Sequence, residues 1–386
     1  MYTQNTPVHI NLWHHDFWRL AFANLAMTMA VYMLIPLLPV WMGLSVKDTA
    51  LVMGSYGVGL FLLGGFCNFL VQHYRRNMVC VWALVAMIAV MGGFYLMATN
   101  PELKNVETLT ALRVACGAAF GLAQMVLMST LVIDTSESFR RTEANHSAAW
   151  FERVALALGP LTGWAVNYLL GAQYVFVAAA ACCFAAVVLI LLVDVPFKAP
   201  EDVVPKLACD RFFLKNGSWL FLNMLLVAAA VGMIFTAHTD PVFYGMMMVG
   251  FVVSMVTQRY VFENAELKSE IISGLFLIGA AELMMLSDQY VPTVFIAPTF
   301  IGIGVGIVGA RFLLFFIKLS DHCQRGTSQS SYVLGWETGV ALGLFMGCML
   351  AEDSRLRTIV TIAVVVVAFL MYHLFTHNWY LKHKNR

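Results

Sequence analysis

Long apolar runs follow one another through most of this chain of 386 residues. A helix needs about 20 residues, at about 1.5 Å each, to cross roughly 30 Å of hydrocarbon. Twelve runs are long enough, so the sequence predicts an all-α integral membrane protein with twelve transmembrane helices. The predicted spans are 17–42, 48–71, 78–98, 108–134, 143–169, 173–195, 217–237, 242–262, 269–287, 291–318, 328–350 and 356–377.

Composition agrees with a membrane protein and excludes several functions. Charged residues make up 12% of the chain, against about 25% in soluble proteins. The net charge of +1 gives no basic excess for a nucleic-acid partner. The eight cysteines lack metal-ligand spacing, and the ten histidines lie near helix ends, in loops or in tails. We therefore expect neither an enzyme nor a bound cofactor or metal.

One glycine pattern resembles a nucleotide-binding loop. Gly304, Gly306 and Gly309 have the spacing of a dinucleotide-binding motif. They lie inside an apolar run with no strand before it, whereas that motif opens a helix directly after a strand. We interpret these glycines as helix-packing positions.

A polar interruption divides the predicted helices into six and six. It extends from Val195 to Ser218 and contains three prolines. The predicted organisation is a cytoplasmic tail at 1–16, an N-terminal six-helix bundle at 17–195, a cytoplasmic linker at 196–216, a C-terminal six-helix bundle at 217–377 and a cytoplasmic tail at 378–386.

The two predicted bundles match each other weakly when the sequence is shifted by 185 residues. Phe151-Glu152 then lies over Trp336-Glu337, and Gly159 lies over Gly343 with a slip of one residue. Charges as well as small residues match, which favours an internal duplication over chance similarity. The bundles are therefore expected to be pseudo-symmetric.

Lysine and arginine in the short loops predict the orientation of the chain. If the amino terminus is cytoplasmic, sixteen of the 23 such residues fall on that side, and only four fall outside: Lys47, Lys104, Arg355 and Arg357. Both termini are then cytoplasmic. A bacterial inner membrane is the expected location.

Two helical motifs point to a known family. Predicted helix 4 contains Arg113 followed by Gly117 and Gly121, and predicted helix 5 contains the segment Gly159-Pro160-Leu161-Thr162-Gly163. These segments resemble the helix-4 and antiporter motifs of the major facilitator superfamily. The resemblance implies a secondary transporter of twelve helices in two bundles, with helices 1, 4, 7 and 10 around a central cavity.

The loop after predicted helix 2 carries a third, partial resemblance. A basic pair, Arg75-Arg76, remains from the cytoplasmic loop motif of the family. Asn68, Gln72 and His73 replace other residues of that motif. The gating ion pair of better-known members is therefore not expected in the same form.

Charged residues inside predicted helices are the strongest functional signal. A charge near the bilayer centre costs on the order of 3 kcal/mol, so it usually faces a cavity or a partner. Arg311 and Glu337 have similar predicted depths, which predicts an ion pair between neighbouring helices. The candidates for proton coupling are Glu152, Arg153, Arg113, Arg311 and Glu337.

Polar and aromatic residues share faces of the helices that the resemblance places at the cavity. Asn24, Thr28 and Tyr32 recur every four residues on helix 1. An aromatic residue such as Trp336 is explained equally by helix packing and by stacking on a ligand. The candidates for the substrate cavity are Asn24, Thr28, Tyr32, Phe120, Gln124, Asn223 and Trp336.

These features together predict a transporter that works by alternating access. We expect it to export a small organic molecule in exchange for protons, with Glu152 taking up and releasing the proton. The alternatives are a proton-coupled importer or facilitator of a sugar or other nutrient, and an uncoupled receptor or lipid-moving protein. The expected partners are the lipid bilayer, a small-molecule substrate and protons, and the expected state is a monomer.

Overall fold

The computed structural model describes residues 11–195, 204–261, 266–286 and 292–385. The first part of the predicted N-terminal tail and residues 196–203 of the predicted linker lie outside these ranges. Twelve helices of 17 residues or more occur within the described chain, and no strand does. They are α1 His15–Tyr32, α2 Val46–Leu62, α3 Arg76–Thr99, α4 Val106–Val126, α5 Arg141–Leu170, α6 Ala172–Leu191, α7 Ser218–Ala237, α8 Pro241–Tyr260, α9 Leu267–Leu286, α10 Thr293–Leu319, α11 Arg325–Met349 and α12 Ser354–Met371.

The predicted spans 17–42 and 48–71 are each interrupted by a break in the helix. The first ends at Tyr32, and a separate helix, Leu38–Met42, follows a turn. Pro36 and Pro39 lie in this region, and proline cannot donate the backbone hydrogen bond that a continuous helix needs. The second is interrupted around Gly64 before it resumes as Cys67–His73.

Two helices continue beyond their regular parts. α4 passes through a π-helical turn, Leu127–Leu131, and ends at Asp134. α12 continues through Tyr372–Thr376 to His383, beyond the predicted end at 377. Within the described residues, ten helical segments are long and apolar enough to cross a membrane. α1 and α5, which carry several of the polar candidate residues, are not among those ten.

Helix packing repeats after six helices. α1 packs on α5 and α6, α2 packs on α4, and α3 packs on α4 and α6. The same contacts recur as α7 with α11 and α12, α8 with α10, and α9 with α10 and α12. The first half, α1–α6, and the second half, α7–α12, therefore have the same internal arrangement. They meet chiefly where α2 contacts α11 and where α5 contacts α8.

Close backbone contact joins α5 to α1 in the first half. A Cβ atom on Gly159 would lie 3.1 Å from the carbonyl oxygen of Met29, and one on Gly163 would meet the carbonyl of Met33. Helices in lipid associate through packing rather than through hydrophobic burial, so small residues at four-residue spacing stabilise such contacts. The α5 helix is continuous through Pro160.

The second half contains the equivalent contact between α11 and α7. Gly339, Gly343 and Gly347 face the backbone or side chains of Leu225, Ala229 and Thr236. The match between Gly159 and Gly343 in the sequence thus corresponds to equivalent packing in the two halves.

The two halves are also tied together at the end of the bundle where α1 begins, which we name the terminal end. The Arg211 side chain donates to Thr130 of the first half at 2.8 Å. Its backbone N–H donates to Thr327 of the second half at 2.9 Å, and Thr327 donates to Asp210 at 2.8 Å. Arg211 has φ +56°, a backbone conformation that a non-glycine residue adopts only when its surroundings hold it there.

His238 lies between α7 and α8 at the opposite end of the bundle. Its ring stacks on Phe243 with 4.3 Å between the ring centroids, and its carbonyl accepts a hydrogen bond from Tyr244. Burial lowers the pKa of His238 to about 4; Asp240 opposes that shift and Arg357 adds to it. The folded protein therefore favours the neutral ring.

Alanine at the two helix contacts should destabilise the protein. Gly163→Ala and Gly343→Ala place a methyl group against the carbonyl of Met33 or Ala229, and overpacking of this kind costs about 1–3 kcal/mol. Gly92→Ala and Gly245→Ala are matched controls, because among the described residues no atom lies within 4 Å of a Cβ at either position. Thermal unfolding of the purified variants checks this. Equal melting temperatures for all four variants would contradict the proposed role of the contacts.

Acidification should remove the stability that the neutral His238 contributes. Its pKa in the folded state is depressed, so the unfolded chain binds the proton first as the pH falls below about 6.5. The contribution is fully present above that pH and is lost toward about pH 4, by at most about 3 kcal/mol. Melting temperatures of the wild type and His238→Asn, measured between about pH 7 and about pH 4.5, should therefore converge. A constant difference across that range would rule out this titration.

Candidate functional site

The centre of the bundle contains the buried carboxyl group of Glu337, on α11. The hydroxyl of Tyr32, on α1, donates to its Oε1 at 2.9 Å, and the hydroxyl of Tyr56, on α2, donates to its Oε2 at 3.0 Å. Both donors belong to the first half, whereas the acceptor belongs to the second half. The Glu337 site is therefore assembled across the interface between the halves.

Arg113 supplies a positive charge to the same cluster. Its guanidinium lies over the Tyr56 ring, 4.9 Å from the centroid, and it is close enough to interact electrostatically with Glu337. Nε and Nη1 of this buried arginine have no hydrogen-bond partner in the described part of the chain. The ring of Tyr56 thus lies between a cation and a carboxyl group and contacts both.

The predicted ion pair between Arg311 and Glu337 is wrong. Arg311, on α10, donates from Nε to Glu270 of α9 at 2.5 Å. The similar depths of Arg311 and Glu337 do not determine which way each side chain points around its helix. α10 packs extensively on α9, and that contact supplies the carboxylate.

Glu152 and Arg153 form a second buried cluster on α5. Arg153 lies over the Trp150 ring at 4.9 Å and donates to the hydroxyl of Tyr332, on α11, at 3.4 Å. Oε2 of Glu152 has no hydrogen-bond partner among the described residues. The amide of Gln124 lies near Glu152, but neither its nitrogen nor its oxygen has a hydrogen-bond partner among the described residues.

The two glutamates belong to one electrostatic system. Glu152 and Glu337 are both almost fully buried, and Glu152 is close enough to Glu337 to act on it electrostatically. Neither forms an ion pair with a described residue. Two carboxyl groups of this kind, one on each half, are the distinctive chemical feature of the centre.

The residues predicted to line the substrate cavity are all buried, and besides Tyr32 two of them join neighbouring helices by hydrogen bonds. Asn24 donates to the carbonyl of Ala148 at 3.1 Å and joins α1 to α5. Asn223 donates to the carbonyl of Ala368 at 2.9 Å and joins α7 to α12. The side chains of the seven candidates are buried in this structure: Asn24, Thr28, Tyr32, Phe120, Gln124, Asn223 and Trp336. Their role in substrate binding stays a prediction.

The basic pair after α2 has a structural partner. Arg75 immediately precedes α3 as its N-cap, and Arg76 forms an ion pair with Asp134 at the end of α4. Both residues lie at the terminal end. The ion pair between Arg76 and Asp134 therefore joins α3 to α4 within the first half.

Several buried polar groups are not among the residues that the sequence predicts for the site. Tyr56 and Tyr332 were missed, although Tyr332 lies four residues before Trp336 and so shares a helix face with it. Glu270 and Glu282 were also missed; Glu282 is buried on α9, with Oε1 unpaired among the described residues. A search for every carboxyl or phenol group inside the apolar runs finds these residues.

Membrane-length helices in two like halves around a buried polar centre define a transporter fold. The major facilitator superfamily model matches residues 20–262, and the chain belongs to that family. It is a membrane transporter, not an enzyme. No curated protein matches the sequence.

Solved transporters share the fold. The human organic anion transporter MFSD10 (TETRAN) aligns with a TM-score of 0.70 at 12% identity, over 92% of this chain and 98% of that chain. The nucleoside transporter NupG aligns with a TM-score of 0.67 at 11% identity, over 93% and 100%. A bacterial homologue of the iron transporter ferroportin, in its outward-facing state, aligns with a TM-score of 0.65 at 15% identity, over 94% and 99%. At these identities the likeness concerns the fold alone.

Two substitutions of Tyr56 should separate its hydroxyl from its ring. Tyr56→Phe keeps the ring beneath Arg113 but removes the donor to Glu337, which we expect to cost about 1–3 kcal/mol. Tyr56→Leu also removes the cation–π contact, worth up to about 2 kcal/mol more in a desolvated site. Chemical or thermal unfolding in one detergent measures both steps. If Tyr56→Phe is as stable as the wild type, the hydrogen bond to Glu337 does not stabilise the fold.

Proposed function

We propose that this protein exports a small organic molecule by alternating access in exchange for protons. The observation that carries the proposal is the pair of buried carboxyl groups, Glu152 and Glu337, on opposite halves of the bundle. A buried carboxylate that loses water and forms no ion pair is destabilised, and binding a proton removes that cost. Coupling requires that movement of the halves changes the surroundings of the proton site. A site with contacts to both halves meets this requirement.

The hydrogen bonds across the interface support a link between proton binding and movement. Glu337 of the second half is held by Tyr32 and Tyr56 of the first half. Arg153 of the first half is bonded to Tyr332 of the second half. If the halves rock apart, all three hydrogen bonds break. The environment of each glutamate then changes with the conformation, which shifts the balance between its protonated and ionised forms.

The distribution of charge supports an orientation with both termini in the cytoplasm. With that orientation, the terminal end sealed by Asp210, Arg211 and Thr327 faces the cytoplasm. The structure then represents a state closed on that side. The positive φ of Arg211 makes its peptide segment a plausible point at which the seal opens, because residues in such conformations persist only while neighbouring contacts hold them.

The antiporter-like motif of α5 favours export over import. Its Gly159 and Gly163 bring α5 against α1, about two and three turns along the helix from Glu152. A proton-coupled importer of a sugar or other nutrient remains the second candidate, because it uses the same fold. The solved transporters that share this fold include an organic anion transporter, a nucleoside transporter and a homologue of an iron transporter, so the fold does not select the substrate. We propose that the protein functions as a monomer in a bacterial inner membrane.

Transport measurements in proteoliposomes test the coupling. A thermal-shift screen of metabolites and drugs first supplies a substrate, because a ligand that binds the folded state raises its melting temperature. Substrate-driven proton movement is then followed with an internal pH dye. We expect Glu152→Gln and Glu337→Gln to reduce it at least about tenfold, because a glutamine side chain cannot exchange the proton.

Glu143→Gln is the matched control on the same helix. Its carboxylate lies at the surface, beside Arg140, so we expect it to transport like the wild type. Wild-type proton movement in Glu152→Gln would exclude Glu152 as the coupling group. Uptake into vesicles of known orientation separates export from import, and substrate binding without any pH change would favour an uncoupled receptor or lipid-moving protein.

A further inference from the structure

Residues 207–214, which we name the strap, cross from the second half to the first half at the terminal end. The carboxyl-terminal part of the strap belongs to the second half. The backbone N–H of Leu214 donates to the hydroxyl of Ser331, on α11, at 2.6 Å. The ring of Phe213 contacts that of Phe221, on α7, edge to face with 5.2 Å between the centroids. The strap is therefore anchored to the second half before it reaches the first.

The interruption of α2 is where the strap binds the first half. The backbone N–H of Ala208 donates to the carbonyl of Gly65 at 3.0 Å. The Phe212 ring lies over Gly64, where a Cβ atom would overlap it, and contacts the ring of Phe61 edge to face at 6.1 Å. Glycine at position 64 therefore leaves the room that this aromatic ring needs.

The strap covers a buried thiol. Cys67 follows the interruption of α2 directly and is fully buried. It is close enough to Asp210 and Arg211 of the strap to interact electrostatically with both. The exposure of the Cys67 thiol therefore reports whether the strap is in place.

The connection that contains the strap is long enough to let it go. It extends over residues 192–217, from the end of α6 to the start of α7, whereas most connections between helices are about 2–8 residues long. Release of the strap from the first half therefore strains neither half. It breaks the hydrogen bond of Ala208, the contact of the Phe212 ring and the hydrogen bond from Arg211 to Thr130.

We propose that the strap is a latch that holds the terminal end closed, and that the Phe212 ring must leave Gly64 before the two halves separate there. The strap is bound to both halves, so separation at this end requires one set of its contacts to break. The contacts with the first half are the ones that a release can break, because the other side of the strap leads directly into α7. This inference rests on the proposed alternation between two conformations, but not on proton exchange or on the direction of transport.

Alkylation of Cys67 in the full-length protein in nanodiscs tests the latch. The probe is N-ethylmaleimide, and peptide mass spectrometry follows each cysteine separately. We expect Phe212→Ala to raise the alkylation rate of Cys67 at least about tenfold, because that rate follows the fraction of molecules in which the strap is released. Phe213→Ala is the matched control. It removes the neighbouring ring, which contacts the second half, and should leave the rate unchanged.

Two glycine substitutions test the same contact from the first half. Gly64→Ala places a methyl group against the Phe212 ring and should raise the alkylation rate of Cys67 as Phe212→Ala does. Gly65→Ala is its control, because the added Cβ lies 3.1 Å from Cδ2 of Leu207, the end of an exposed and flexible side chain. The double variant Gly64→Ala/Phe212→Ala should match Phe212→Ala alone, because no ring remains to be displaced.

Cys183, which is fully buried on α6, distinguishes release of the strap from loss of the fold. The proposal is overturned if Cys67 in Phe212→Ala reacts at the wild-type rate, or if Phe213→Ala accelerates it equally. It is also overturned if Cys183 accelerates in parallel with Cys67 in both Phe212→Ala and Gly64→Ala, because the ring then supports the fold rather than the closure. The labelling is done without substrate at one pH, so a failure of proton exchange in the transport assay would leave these outcomes unchanged.

Discussion

The cost of burying a carboxyl group inside a membrane bundle determines how the centre of this protein is built. Glu337 lies where water does not reach it, and two phenol groups from the other half bind its oxygens. The two hydroxyl donors replace hydrogen bonds that water would otherwise make to the carboxyl oxygens, and a buried carboxyl group left without them would be destabilised. A carboxyl group without hydrogen-bond partners in hydrocarbon is unfavourable. The contacts of Glu337 with Tyr32 and Tyr56 therefore help to fix how the two halves pack together.

Close helix contacts make that central geometry possible. Tyr32 reaches Glu337 from α1, and α1 is positioned by its contact with Gly159 and Gly163 of α5. α11, which carries Glu337, is positioned by Gly343 against α7. Glycine permits these approaches because each would place a Cβ atom against a neighbouring backbone. Close glycine contacts therefore position both Tyr32, the hydrogen-bond donor, and Glu337, the acceptor.

The sequence predicts the fold of this chain better than it predicts the site. Hydropathy located the long helices to within a few residues, because lipid requires apolar runs of a minimum length. It missed the break after Tyr32, where two prolines lie in an otherwise apolar run. Depth along a helix can be counted from the sequence, but rotation about its axis cannot. For this reason the sequence predicts Glu337 as the partner of Arg311, which pairs with Glu270 instead, and it gives no sign that Tyr56 contacts Glu337.

The two halves differ in the groups that surround their buried glutamates. Glu152 has a cation adjacent to it in sequence, Arg153, which reaches across to Tyr332 of the other half. Glu337 is bonded to two tyrosines and receives its positive charge from Arg113 of the other half. Glu337 thus depends on groups that belong to the opposite half. Glu152 lies beside Arg153, whose guanidinium donates to Tyr332 of the opposite half. In the transport cycle that we propose, separation of the halves breaks the hydrogen bonds from Tyr32 and Tyr56 to Glu337, whereas Glu152 keeps its adjacent arginine. The two carboxyl groups therefore respond unequally to the proposed motion.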